Sequence, residues 1–125
     1  MIVGLGIDLV DTDRVARELG RLRWQPANGV FTAAEISYCL AGRQPAQRYA
    51  ACFAGKEATL KALGADVVDL GIFREVEIRV DGGSGCAVLL RKRLRPIARK
   101  LKVRHINLSL TARRKSVVAM VILES

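Results

Sequence analysis

The sequence predicts an α+β fold in which an antiparallel sheet packs with helices, and three observations predict it. Residues 75–80 and 106–111 alternate with period two, apolar runs stand at 2–10 and 117–123, and an alanine-rich helical stretch fills 45–63. Turns at 81–85 and 112–115 join two pairs of these strands closely enough to make hairpins. At 125 residues, with 50% hydrophobic side chains and no repeat, low-complexity tract or linker, one domain over residues 1–125 suffices.

Residues 2–10 form a glycine-punctuated apolar run that reads as a buried strand and carries Asp8 near its end. Asp11 or Thr12 then caps a helix to about residue 23, with Val15, Leu19 and Leu22 on one side and Arg14, Arg17 and Arg21 around the other. That helix is amphipathic and basic. Pro26, Asn28 and Gly29 break the chain, and Thr32 with Glu35 makes a capping box for a short helix ending near Gly42. Pro45 suits the first turn of the long helix, which runs to Leu63 and stops at Gly64, a left-handed cap. After a loop through Asp69 and Gly71, the hairpin strands at 75–80 and 86–90 follow, then a basic helix over 91–102 and the last two strands.

Composition narrows the function classes. The longest apolar run, 117–123, is far short of the roughly 20 residues a membrane-spanning helix needs. Met1 leads straight into a strand-like stretch with neither a basic region nor a cleavage site, so a cytoplasmic protein is expected. Cys39, Cys52 and Cys86 are odd in number and form no C-x-x-C pair, which leaves buried or incidental thiols. His105 is the only histidine, so oxygen-ligand chemistry is favoured over a catalytic triad or a multi-histidine metal site. Residues 1–90 nearly balance, with 10 basic and 11 acidic side chains, whereas residues 91–125 carry 11 basic ones and only Glu124. Such a surface attracts anionic partners, and the tract 91–115 lacks the aromatic residues of a single-strand nucleic-acid platform. A chain this short builds an elaborate cleft more easily between subunits than within one, which predicts an oligomer.

Two groups of residues carry the candidate chemistry. Asp8 is a lone carboxylate in an apolar strand and needs a partner, either as a helix cap, through Arg14, or through a cation. Glu57, Lys61 and Gly64 lie at i, i+4 and i+7 on the long helix and share one face among small neighbours. On spacing alone Glu57 and Lys61 read first as an ordinary surface ion pair. Two carboxylates and a lysine also match a divalent-metal phosphate site, with hard oxygen ligands for the cation and a point charge for the phosphate.

Several motifs in fixed order carry a resemblance. Gly6-Ile7-Asp8 with Arg14 follows the start, Phe53-x-x-Lys-Glu-Ala-x-x-Lys-Ala-Leu-Gly64 lies about 50 residues on, and Phe73-x-x-Val-Glu-Ile78, Ser109-Leu-Thr and Ala119-Met-Val-Ile122 complete the set. Together they resemble holo-acyl-carrier-protein synthase, the small trimeric phosphopantetheinyl transferase family, over nearly the whole chain. The resemblance implies a 4′-phosphopantetheinyl transferase fold, a homotrimer with active sites between subunits, and transfer of 4′-phosphopantetheine from coenzyme A to a serine of apo acyl carrier protein. It implies that Asp8 and Glu57 bind Mg²⁺, that Lys61 and Gly64 bind coenzyme A, and that Glu57 and Lys61 are catalytic. Arg14 and Arg21 would grip the carrier protein, with Arg17 and Arg23 as further contacts.

This chain departs from the family pattern at three places. The expected S-x-S-H reads Ser109-Leu110-Thr111-Ala112, the usual R-F reads Cys52-Phe53, and the usual G-x-P turn reads Gly83-Ser84-Gly85. Arg48, Arg113 and Arg114 are the candidates to replace the lost arginine. Three other readings stay open: a transferase for a specialised polyketide or peptide carrier, a paralogue that binds carrier protein without modifying it, and a nucleic-acid binder using residues 91–115.

Overall fold

The computed structural model describes residues 1–20, 29–81 and 85–125. In chain order the elements are β1 (Ile2–Asp11), α1 (Thr12–Leu19), α2 (Ala33–Leu40), α3 (Pro45–Leu63), a 3₁₀ turn (Leu70–Glu75), β2 (Val76–Asp81), β3 (Gly85–Leu90), α4 (Leu94–Lys100), β4 (His105–Arg113) and β5 (Ser116–Glu124). The strands form two antiparallel sheets, a three-stranded one in the order β1-β5-β4 and the hairpin β2-β3. Among the described residues no helix is long and apolar enough to cross a membrane.

Small residues decide how these elements meet. A Cβ on Gly6 would stand 1.9 Å from the Ala58 carbonyl oxygen, and one on Gly4 would stand 2.2 Å from that of Ala62. The backbone of α3 therefore lies directly on β1, a closeness only glycine permits. Ala50, Cys52, Ala54 and Ala58 of α3 are fully buried, and Val117, Ala119, Val121 and Leu123 of β5 meet it from the same sheet face. The apolar runs 2–10 and 117–123 are thus buried on one face only, not as wholly buried strands. Leu5, Ile7, Leu9, Val118 and Met120 alternate onto the outer face and stay exposed, because α3 covers one side of the sheet and no other described element covers the second.

Helix ends follow the local chemistry. Asp11 caps α1 by accepting from Asp13 N and Arg14 N, and Thr32 with Glu35 makes the complete capping box of α2. Gly64 closes α3 with φ 65°, the left-handed conformation expected of it. The expected end of α1 near residue 23, the break at Pro26 and Asn28, and most of the 81–85 turn lie outside the described residues. Three elements differ from expectation in their bounds. The basic helix spans only Leu94–Lys100 in place of 91–102, because Lys92 (φ 45°) and Lys102 (φ 59°) take left-handed conformations that bracket it. Glu75 belongs to the 3₁₀ turn, where its carboxylate accepts from Arg93 N at 2.8 Å, while β4 continues through Ala112 to a two-residue turn.

A buried polar cluster fastens α3 to its neighbours. Lys56 is fully buried and its Nζ donates to Phe73 O at 2.8 Å and Val76 O at 2.6 Å while pairing with Glu35 Oε1 at 2.6 Å. Glu35 in turn accepts from Thr32 N at 2.9 Å and from Ile78 N at 2.7 Å. Burial pulls the Lys56 ammonium below its ordinary pKa, and the Glu35 charge opposes that shift. One pair thus ties α2, α3 and β2 together. Glu35→Ala leaves the Lys56 charge without its partner and is expected to cost about 3–5 kcal/mol in urea unfolding, whereas the double change Glu35→Leu with Lys56→Met costs less than that single change. Equal losses in the two variants would show that the ion pair does not govern the junction.

Candidate functional site

The close approach of β1 to α3 carries Asp8 to the flank of that helix. Asp8 is buried, and its Oδ1 accepts from Lys61 Nζ at 2.8 Å. The same ammonium donates to Ile7 O at 3.2 Å. Lys61 therefore pairs across to the strand and not along its own helix to Glu57, and neither the surface pair nor the Arg14 partner for Asp8 is what forms. A lysine ammonium has three hydrogens, so one remains for a ligand, and the Lys61 side chain is 55% exposed.

Asp8 Oδ2 is buried with no donor among the described residues. Glu57 stands beside it. Burial first, then a hydrogen bond shared with Asp8 and the Asp8 charge, push the Glu57 carboxyl up to about 7, against the opposing charges of Lys61 and Arg14. Two carboxyls hydrogen-bond to each other only when one holds a proton, so this pair waits for either a proton or a cation. A cavity of about 30 Å³ lies between them, lined also by Arg14, Glu18 and Phe53. A space of this size has room for a water molecule or an ion. Two facing carboxylates, one with an unsatisfied buried oxygen, at a cavity of this size fit a single hard divalent cation, and no cluster of three or more acidic, histidine or cysteine ligands exists among the described residues. Glu57 and Lys61 also line a second recess of about 240 Å³ with Leu60, Ala65 and Val67, so a ligand there meets both.

The structure thus brings Asp8, Glu57, Lys61 and Arg14 together. Gly64 stands one turn beyond Lys61, with open space where a Cβ would project. Arg17 is exposed on α1, while Arg21 and Arg23 lie outside the described residues. The sequence reading missed Glu18 as a wall of the cavity, although its i, i+4 spacing from Arg14 put the two on one face of α1. His105 begins β4 opposite Glu124, far along β5 from Ala119, the partner of Asp8. Ala112 stands opposite Val117, which faces Val10. Cys52 is fully buried with its Sγ 4.0 Å from that of Cys39, too far for a disulfide, and the hydrogen bond between these thiols together with burial pushes its pKa up. Arg48, one turn earlier on α3, donates to Tyr38 O at 2.6 Å and lies 4.2 Å over the Tyr38 ring.

The chain is similar to known proteins over almost its whole length. The family profile of the 4′-phosphopantetheinyl transferase superfamily matches residues 4–121. The chain is 38% identical to a holo-[acyl-carrier-protein] synthase of Moorella thermoacetica over 122 residues, covering 96% of this chain and 92% of that one. It is 37% identical to the synthase of Maridesulfovibrio salexigens over 125 residues, covering 99% of each. Among solved structures, the synthase from Neisseria meningitidis superposes with a TM-score of 0.86 at 26% identity and full coverage of both chains. The Bacillus anthracis enzyme, solved in complex with CoA (3′,5′-ADP), superposes at 0.76 with 26% identity, covering 100% of this chain and 98% of that one.

The raised Glu57 value makes a pH prediction. The folded chain holds this proton up to about pH 7, whereas the unfolded chain releases it near the ordinary value of 4.5. Between those values the folded state binds more protons, so this group's contribution to stability falls as pH rises through the window. In EDTA, wild type is expected to lose stability relative to Glu57→Gln between about pH 4.5 and about pH 7, read by urea unfolding. Parallel curves for the two proteins would show that the carboxyl is not shifted.

Proposed function

This chain belongs to the 4′-phosphopantetheinyl transferase superfamily, and from that membership we propose that it transfers 4′-phosphopantetheine from coenzyme A to a serine of apo acyl carrier protein, releasing 3′,5′-ADP, with Mg²⁺ held by Asp8 and Glu57. The observation that carries the reading is the meeting of Asp8 and Glu57 at a small cavity, with Lys61 bonded to Asp8 and lining the adjoining recess with Glu57. When bound, the ion supplies positive charge for the phosphate oxygens.

The chain's own residues account for the remaining steps. Lys61 is oriented by Asp8 and Ile7 O, so its free N–H is directed without further reorganisation toward a phosphate in the adjoining recess. That donor stabilises charge on the phosphate oxygens as the serine hydroxyl attacks the β-phosphorus and the bond to 3′,5′-ADP breaks. Glu57, beside the ion and the recess, helps to remove the serine proton. Gly64 leaves the end of α3 unobstructed for coenzyme A. Arg14 stands at the rim with Arg17 on the same helix, where their charges draw an acidic carrier surface toward the site; Arg21, outside the described residues, is a further carrier contact on the sequence resemblance alone.

Residues 1–125 act as one domain in a cytoplasmic homotrimer. The exposed apolar face of Leu5, Ile7, Leu9, Val118 and Met120 supports subunit contact there. Light scattering is expected to report a trimer, and a monomer at working concentration would overturn that assembly.

The intact mass of a purified apo acyl carrier protein, after incubation with this chain, coenzyme A and Mg²⁺, is expected to rise by one phosphopantetheine, with no rise in EDTA. Asp8→Ala and Glu57→Ala are each expected to lower kcat/KM by about 10²-fold or more. Full Mg²⁺-dependent activity in either variant would remove the assigned metal role, and binding without modification across a panel of carriers would favour the binding-only paralogue.

A further inference from the structure

On a part of the molecule separate from Asp8 and Glu57, a groove of about 980 Å³ runs between the start of α2, the 3₁₀ turn, β2 and the segment leading into α4. Five of its lining residues are cationic, Arg74, Arg79, Arg91, Lys92 and Arg93, and two are acidic, Glu75 and Glu77, a surplus of three positive charges. The acids do not face the groove as free carboxylates. Glu75 is 6% exposed, and its oxygens accept from Arg93 N at 2.8 Å and Arg93 Nε at 2.7 Å. Glu77 is 3% exposed, and its oxygens accept from Thr32 Oγ1 at 2.9 Å and Arg91 at 2.5 Å, with Arg79 Nε at 3.6 Å.

The buried carboxylates hold the guanidiniums from beneath. Arg79 and Arg91 remain about half exposed, and Arg91 spends one of its five N–H donors on Glu77. Anchoring an arginine by one edge directs its remaining donors and removes part of the entropy a ligand would otherwise have to overcome. Arg74 and Lys92 have no ion-pair partner among the described residues. Lys92 also takes φ 45°, a left-handed conformation strained for a lysine, while on either side of it Arg91 N donates to Glu75 O and Arg93 N to Glu75 Oε1, both at 2.8 Å. Residues 82–123 contain no acid, so nothing in that stretch of sequence offsets the charge.

We infer that this groove is a second anion site, taking a phosphate-bearing small molecule up to nucleotide size on Arg74, Arg79, Arg91 and Lys92. Guanidinium forks match phosphate oxygens, and the groove's volume lies within the range of about 300–1,000 Å³ usual for small-molecule sites. Its lining contains no aromatic side chain on which a nucleic-acid base would stack, which favours a small phosphate over single-stranded RNA. The inference is independent of the transferase reading, since no residue of the groove belongs to the first site.

The test uses the whole chain in EDTA and inorganic pyrophosphate as the probe, followed by amide NMR. Saturable shifts at residues 74, 79 and 91–93 are expected. Lys92→Gly removes the cation while suiting the left-handed backbone, so it is expected to keep or raise the melting temperature and to weaken pyrophosphate binding. Arg74→Gln with Lys92→Gly is expected to weaken it about tenfold or more, the loss of one or two charge-assisted contacts. Phosphopantetheine transfer in the mass assay stays unchanged in both variants. Shifts confined to residues 8, 57 and 61, unaltered affinity in the folded double variant, or binding of an RNA oligonucleotide without any pyrophosphate effect would each overturn the inference.

Discussion

The architecture depends on one steric constraint, the absence of side chains at Gly4 and Gly6. Where a Cβ would sit, the carbonyl oxygens of Ala62 and Ala58 already stand. That clearance sets the distance between strand and helix, and everything at the first site inherits it. Asp8 follows Gly6 by two residues and shares its face of the strand, so the closeness that excludes a methyl group at Gly6 brings the Asp8 carboxylate within 2.8 Å of Lys61. A strand held farther off would leave Asp8 hydrated and Lys61 free, and neither the orphaned oxygen nor the shared proton with Glu57 would arise. The Lys56 cluster secures a neighbouring side of the same helix. Consecutive residues, Lys56 and Glu57, point about 100° apart around it, one locked in a dry ion pair and the other turned to the site.

Much of this was legible locally and some of it only through distance. The capping box showed that Glu35 would reach back to Thr32, but not that the same carboxylate would meet Lys56 and Ile78 N, because those partners lie 21 and 43 residues on. Asp8 was readable as a group in need of a partner, whereas its choice of Lys61 depends on the glycine contact between segments about 50 residues apart. The outer face of β1 and β5 misled in the usual way of apolar strands, since composition does not tell a strand covered on both sides from one covered on a single side. The ends of α4 escaped because Lys92 and Lys102 in left-handed conformations are not the residues that normally announce such turns.

Charge is arranged in two distinct ways on the same chain. At the first site the acids are undercompensated: Asp8 has one oxygen without a donor, and Glu57 is raised toward neutrality. In the groove the acids are overcompensated, and the Arg93 contacts hold the Glu75 carboxyl below its ordinary range while Arg91 and Thr32 do the same for Glu77 against its burial. A site short of positive charge recruits a cation, and one with an excess recruits an anion. The net charge of +9 therefore describes neither site by itself.

The departures from the family pattern fall where this division predicts tolerance. Cys52 is fully buried against Cys39 at the contact of α2 with α3, and a guanidinium could not occupy that volume without parting the helices. Losing the arginine there is matched by a dry thiol pair, so the change is absorbed by packing and the geometry of Asp8, Glu57 and Lys61 is untouched. Arg48, a turn away, does not reach into the gap, because Tyr38 holds it through its ring and its carbonyl. Ala112 likewise removes a side chain at the turn end of β4 without disturbing the strand register. Both changes leave the carboxylate pair intact, so in the proposed transfer their consequence falls on how tightly coenzyme A is held before it falls on the chemical step.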